Sequence, residues 1–196
     1  MRALIAGLAL AGLVAGCSSV DRVDPRTVTD LSGNWNDTDS RLVAEEMITD
    51  CLRRPWLGAF KAAHGGASPV VIVGTVKNRT AEHIPVATFT KDMEKELLNS
   101  GLVRFVAAKG ERDEVRDERE DQQMNSAAES MKRMRQETGA DFMIIGSIDQ
   151  LVDEKGGTKA KATQVNLELV NMESNEKVWI GSKDLKTMVK KGALGF

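Results

Sequence analysis

The sequence predicts an α/β fold, a single domain in which helices pack on a mixed sheet of about five strands, and three observations carry that reading. Pro69-Val70-Val71-Ile72-Val73-Gly74 and Phe142-Met143-Ile144-Ile145-Gly146 are short apolar runs without polar alternation, the pattern of strands buried on both faces. Between them, Phe89, Met93 and Leu97 repeat at helical spacing up to Gly101, and Val103 to Ala107 supplies a further short strand; strand, helix, strand in that order implies a right-handed crossover and parallel pairing. Two longer strands close the chain: Val165, Leu167 and Leu169 alternate with Gln164, Asn166 and Glu168, and a second run from Val178 to Val189 follows a turn at Glu173-Ser174-Asn175-Glu176.

The remaining elements fit around that frame. Asp39 or Ser40 is placed to cap a helix whose apolar stripe is Val43, Met47 and Cys51, widened by Ile48 and Leu52 and stopped before Pro55. A short helical segment from Trp56 to Ala63 runs into Gly65-Gly66. The charged stretch 111–123 opens a helix that is expected to continue through Ala127, Met131 and Met134 to Gly139, with Met124, Met131 and Met134 as core filler. Ala160 and Ala162 are out of phase with Val165, which predicts a β-bulge near Thr163-Gln164.

Composition narrows the function. The chain has 27 basic and 29 acidic residues, so nucleic-acid binding has no electrostatic support. Two cysteines, Cys17 and Cys51, make no disulfide framework, and Cys51 reads as a small core residue. There is no glycine-rich phosphate loop, no Gly-x-Ser-x-Gly elbow and no paired-cysteine or HExxH spacing, so neither an enzyme, a cofactor nor a small-molecule substrate is expected. The candidate site is the polar segment after the first buried strand, Asn78, Arg79, Thr80, Glu82 and His83, where α/β folds place ligand sites. Its alternatives are a binding surface for a partner and a loop held by its own hydrogen bonds, with catalysis by Glu82 and His83 disfavoured because adjacent side chains seldom converge on one point. His64 reads as a loop residue, and Trp179 as either sheet packing or an exposed contact. Trp35 stands in an otherwise polar stretch, where it either pins the chain to the domain or anchors a partner.

The N-terminus addresses the protein. Arg2, the apolar stretch Ala3 to Val14 and small residues before Cys17 follow the order of a secretory signal, and about a dozen apolar residues are too few to span a bilayer. Val14-Ala15-Gly16-Cys17 resembles the bacterial lipobox, which implies acylation of Cys17, and Ser18 in place of Asp implies sorting to the outer membrane. The expected organisation is a signal peptide over 1–16, a lipidated tether over 17–37, a globular domain over 38–191 and a tail over 192–196. A tether of ~20 residues reaches at most ~70 Å.

Ser32-Gly33-x-Trp35-Asn36-Asp37-Thr38-Asp39-Ser40, Val73-Gly74-x-Val76-x-Asn78-Arg79-Thr80-x-Glu82-His83-Ile84 and Gly139-Ala140-Asp141-Phe142 are similar to segments of the LpoB family, over a match from about Asp30 to Val189. The resemblance implies an outer-membrane lipoprotein whose domain, similar to the N-terminal domain of TolB, binds and stimulates a class A (bifunctional) penicillin-binding protein and so regulates peptidoglycan synthesis without being an enzyme. The family's long proline-rich linker is replaced here by a short tether carrying only Pro25. A structural or scaffold lipoprotein of an envelope assembly is the alternative that the short tether favours.

Overall fold

The computed structural model describes residues 21–24, 27–134 and 136–190. The leader 1–16, Cys17, Ser18, Pro25 and the tail 192–196 lie outside the described residues. The elements in order are α1 (Asp37–Arg53), α2 (Pro55–Ala63), β1 (Val70–Asn78), α3 (Val86–Asn99), β2 (Arg104–Phe105), α4 (Lys109–Asn125), β3 (Phe142–Lys155), β4 (Thr158–Asn171) and β5 (Lys177–Lys190). They build one five-stranded sheet in the order β2-β1-β3-β4-β5. β1 runs parallel to both β2 and β3, whereas β3, β4 and β5 form an antiparallel meander, so the sheet is mixed as predicted.

The two apolar runs are neighbours, with Val71, Ile72 and Val73 opposite Phe142, Met143 and Ile144. Both edges of β1 are paired, and Val70 to Val73 are all buried. One sheet face carries the core. Ile144, Ile148, Val165, Leu167 and Leu169 on that face are fully buried under Val43, Met47 and Ile48 of α1 and Phe89, Met93 and Leu97 of α3. These are the stripes that the helical spacing picked out, and their burial rather than propensity holds the helices. Cys51 lies in the same cluster, where Trp56 donates its indole N–H to the Cys51 carbonyl at 2.7 Å. Trp179 is 5% exposed, which settles it as sheet packing.

Four expectations are corrected. α1 starts two residues before the proposed caps: Asn36 is the N-cap, its side chain accepts from the Asp39 N–H, and the Asp39 carboxylate accepts from the Asn36 N–H, each at 3.1 Å. This reciprocal pair satisfies two orphan donors at once, which neither Asp39 nor Ser40 alone could do. α4 stops at Asn125 instead of reaching Gly139: it buries no residue, so no apolar burial carries the helix further. The methionines expected in the core lie outside it, with Met124 77% exposed and Met134 39% exposed. The charged face of α4 is solvated, and Arg116 pairs with Asp113 at 2.7 Å and Glu137 at 2.8 Å.

The fourth correction is the bulge. The registers of β4 with β3 and with β5 run unbroken through Thr163 and Gln164. The strand keeps phase because Lys161 and Thr163, not the alanines, take the inward positions before Val165, at 7% and 9% exposure. β3 also runs well past the predicted Gly146, to a two-residue turn at Gly156 and Gly157 with φ of 58° and 78°. Two consecutive positive φ angles are the requirement of a type I′ hairpin turn, which Gly-Gly meets without strain.

Burial pushes the Cys51 thiol up to about 12. In a chain with Cys17→Ala, a thiol reagent at about pH 8 should therefore leave Cys51 unmodified until denaturant unfolds the domain; rapid labelling of the native protein would contradict the packing. Phe89→Ala should lower unfolding stability by ~3–5 kcal/mol in a urea titration.

Candidate functional site

β1 ends at Asn78, and the segment after it is tied down by its own polar groups. The Asn78 side chain accepts from the Thr80 N–H at 2.9 Å and donates to the Glu82 carbonyl at 2.8 Å. The Thr80 hydroxyl accepts from the Glu82 N–H at 3.0 Å, and the Arg79 N–H donates to the Ile148 carbonyl of β3 at 2.8 Å. Ile84 then buries its side chain in the core and closes the loop.

Glu82 is the centre of this arrangement. Its carboxylate accepts from Lys161 Nζ of β4 at 2.7 Å, from Gln150 Nε2 of β3 at 3.0 Å and from the backbone N–H of Trp35 at 3.0 Å. Lys161 completes its donors on the Gly33 carbonyl at 3.2 Å and on the Asn34 side-chain oxygen. The side chains of Lys161 and Glu82 are only 9% and 15% exposed, so this is a buried, fully hydrogen-bonded ion pair. Burial acts to raise the Glu82 pKa, but the ammonium of Lys161 and the donors of Trp35 and Gln150 outweigh it and hold the carboxyl below its usual range.

The N-terminal segment is fastened by the same pair. Gly33 adopts φ +63°, and a Cβ there would come within 2.8 Å of the methyl groups of Thr187 and Val189 on β5, so only glycine passes. The Trp35 ring stands edge-on to Phe89 with centroids 5.7 Å apart and donates its indole N–H to Ser40 at 2.7 Å. Trp35 therefore pins the chain to the domain.

The predicted site residues separate into two groups. Trp35, Asn78, Thr80 and Glu82 build and fasten the loop. Arg79 and His83 are exposed, with Arg79 3.8 Å from the Asp149 carboxylate on the outer sheet face. Glu82 and His83 do not converge on a reacting centre, since the Glu82 carboxylate is used inward and His83 faces solvent. His64 accepts its place in the loop after α2: its ring stacks on Phe60 at 3.9 Å and Nδ1 lies 2.9 Å from the Phe60 carbonyl. The sequence reasoning missed Lys161. Its signal was available, because Lys161 and Thr163 continue the odd-numbered phase of Val165, Leu167 and Leu169. Among the described residues no group of three His, Cys, Asp or Glu is placed to hold a metal ion.

A model of the peptidoglycan-synthase activator LpoB matches residues 39–185. The chain belongs to the LpoB family. Among solved structures, similar ones are the LpoB C-terminal domain from Escherichia coli, at 19% identity over 75% of this chain and 98% of that chain with a TM-score of 0.46, and the same domain from Salmonella enterica, at 17%, 78%, 99% and 0.40. The solution structure of E. coli LpoB is similar at 15% identity, over 95% of this chain and 91% of that one, with a TM-score of 0.41. No curated protein matches the chain. In this member of the LpoB family, two of the three segments that carry the sequence resemblance meet in space: Gly33 to Trp35 and Asn78 to Glu82 are joined through Lys161.

Because the folded state depresses the Glu82 pKa, its contribution to stability is full above the unfolded value, near 4.5, and is lost as pH falls through the lower folded value. Glu82→Gln should flatten the stability profile below about pH 4.5, measured by urea unfolding at a series of pH values. Lys161→Met alone should destabilise by ~3 kcal/mol or more and the double variant Lys161→Met/Glu82→Leu by less, because the single change strands a buried carboxylate. Equal losses in the two variants would count against a coupled pair.

Proposed function

We propose that the chain is acylated at Cys17, sorted to the outer membrane through Ser18, and binds and activates a class A penicillin-binding protein, regulating peptidoglycan synthesis as a non-catalytic partner. The match to the peptidoglycan-synthase activator family over residues 39–185 carries this reading. The loop supports it physically. Arg79 and His83 project from a segment whose backbone is already fixed by Asn78, Thr80 and Glu82, so a partner would meet a preformed surface and little ordering entropy would be lost on binding. Activation requires only that the domain bind one conformation of the synthase more tightly than another. No helix among the described residues is long and apolar enough to cross a membrane, which fits attachment through a lipid.

The short tether supports a second reading, in which the domain joins an assembly near its own membrane. Crosslinking in intact envelopes separates the two, since recovery of outer-membrane proteins without any synthase supports the scaffold.

Purified protein should raise the rate of glycan polymerisation by a cognate class A synthase. The double variant Arg79→Glu/His83→Ala should lose most of that stimulation, by ~2 kcal/mol or more in affinity if these are central contacts, with its melting temperature unchanged. No stimulation by the native protein across the host's synthases would sink the proposal.

A further inference from the structure

β3, β4 and β5 extend past the loop after β1 as a three-stranded tip whose outer face differs from the rest of the sheet. Its last rungs are set by the register: Leu151 opposite Ala162 and Lys186, then Asp153 opposite Ala160 and Met188. The final rung is Lys155, Thr158 and Lys190. Leu151 is 79% exposed and Met188 55%, and no ion pair among the described residues involves Lys155, Lys186 or Lys190. Three free ammonium groups and one carboxylate thus frame an apolar centre. One rung further in, Asp149, Gln164 and Asp184 reverse the sign of the charge.

We infer that this tip is a membrane-contact surface, which lays Leu151 and Met188 into the interface of an anionic phospholipid leaflet while Lys155, Lys186 and Lys190 meet its phosphates. The inference rests on the lipid-anchor reading of Cys17. Charge complementarity selects the occupant, because each lysine near an anionic leaflet strengthens contact about fivefold, roughly 100-fold for three. The acidic rung above limits the contact to the tip and sets the orientation. The path of the chain agrees with it. Gly33 rests against Thr187 and Val189, on the opposite face of the same stretch of β5, so the chain joins the domain beside the tip. The sixteen residues from Cys17 to Ser32 span at most ~55 Å. That bound keeps the tip close to the leaflet and raises its local concentration there.

The test uses the acylated chain recovered from cell membranes and reconstituted into vesicles of phosphatidylethanolamine with about one-quarter phosphatidylglycerol. A nitroxide at Met188→Cys is compared with one at Ser182→Cys, higher on the same strand face; Cys51 is fully buried and stays unlabelled. Collision with membrane-dissolved oxygen, against a water-soluble nickel chelate, should place position 188 in the interface and position 182 in water. The difference should vanish in zwitterionic vesicles, in about 0.5 M salt, and in the variant Lys155→Glu/Lys186→Glu/Lys190→Glu, which should fold and melt as the native chain does. Equal water exposure of the two labels on anionic vesicles, or a difference that the triple variant keeps, overturns the inference. Failure of the anchor reading shows separately, as a chain carrying no lipid and not retained on vesicles. The two labels are then read on the unanchored chain with excess anionic vesicles, where absence of the difference again overturns the tip.

Discussion

A lysine ammonium placed on the inner face of a sheet would cost several kcal/mol if left alone, and in this domain that constraint organises everything around β4. Lys161 is 7% exposed, and its three partners come from far apart in the sequence: Glu82 after β1, and the Gly33 carbonyl and Asn34 side chain before α1. Satisfying one buried charge therefore positions the loop 78–85, the entry of the N-terminal segment and, through the Trp35 N–H on Glu82, the start of α1. An apolar pair of equal volume could hold the core as well. It could not orient the backbone carbonyl of Gly33 or hold a loop carboxylate in place. The ion pair is better understood as a device that sets geometry than as a source of stability.

Why this pair escaped sequence reasoning follows from the same physics. Lysine is almost never buried without a partner, so a pattern-based reading puts Ala160 and Ala162 inside and needs a bulge to reconcile them with Val165. The partner that makes Lys161 tolerable is 79 residues away, and no local pattern contains it. Other elements were plain because their cause is local. The stripe Phe89, Met93, Leu97 and the β-branched run at Val70 specify buried surfaces on their own. The end of α4 was not: Met124, Met131 and Met134 imitate a core stripe, but a helix needs an apolar surface to bury such a stripe against, and α4 buries no residue. Two local signals were present and unused, the Asn36-x-x-Asp39 capping box and the Gly156-Gly157 hairpin.

The candidate site shows the same division between local and distant causes. Asn78, Arg79, Thr80, Glu82 and His83 form one polar run, and sequence alone could not say which of them face in. The fold decides it. Glu82 is drawn inward by Lys161, Gln150 and Trp35, the side chains of Asn78 and Thr80 are spent on the loop backbone, and Arg79 and His83 are left outside. Residues that share a motif thus divide into those that make the surface and those that are the surface. On the proposed reading of this loop as a partner surface, a substitution in the first group would disturb binding only by unfolding the loop. One in the second would alter recognition with the loop intact.

The two faces of the β3–β4–β5 extension bring the partner question back to distance. Arg79 lies beside Asp149, and the strand rises about 3.4 Å per residue, so the exposed loop stands only ~15 Å along the sheet from the rung of Asp153. With the tip on a leaflet, a protein engaging Arg79 and His83 would have to come within that distance of the lipid headgroups. The segment from Cys17 to Ser32 limits any retreat from that leaflet to ~55 Å. The span between a synthase in one membrane and an activator on the other would then be covered by the synthase rather than by a linker of this chain. On the proposed anchoring, the geometry of the domain would select among partners by their reach as much as by their chemistry.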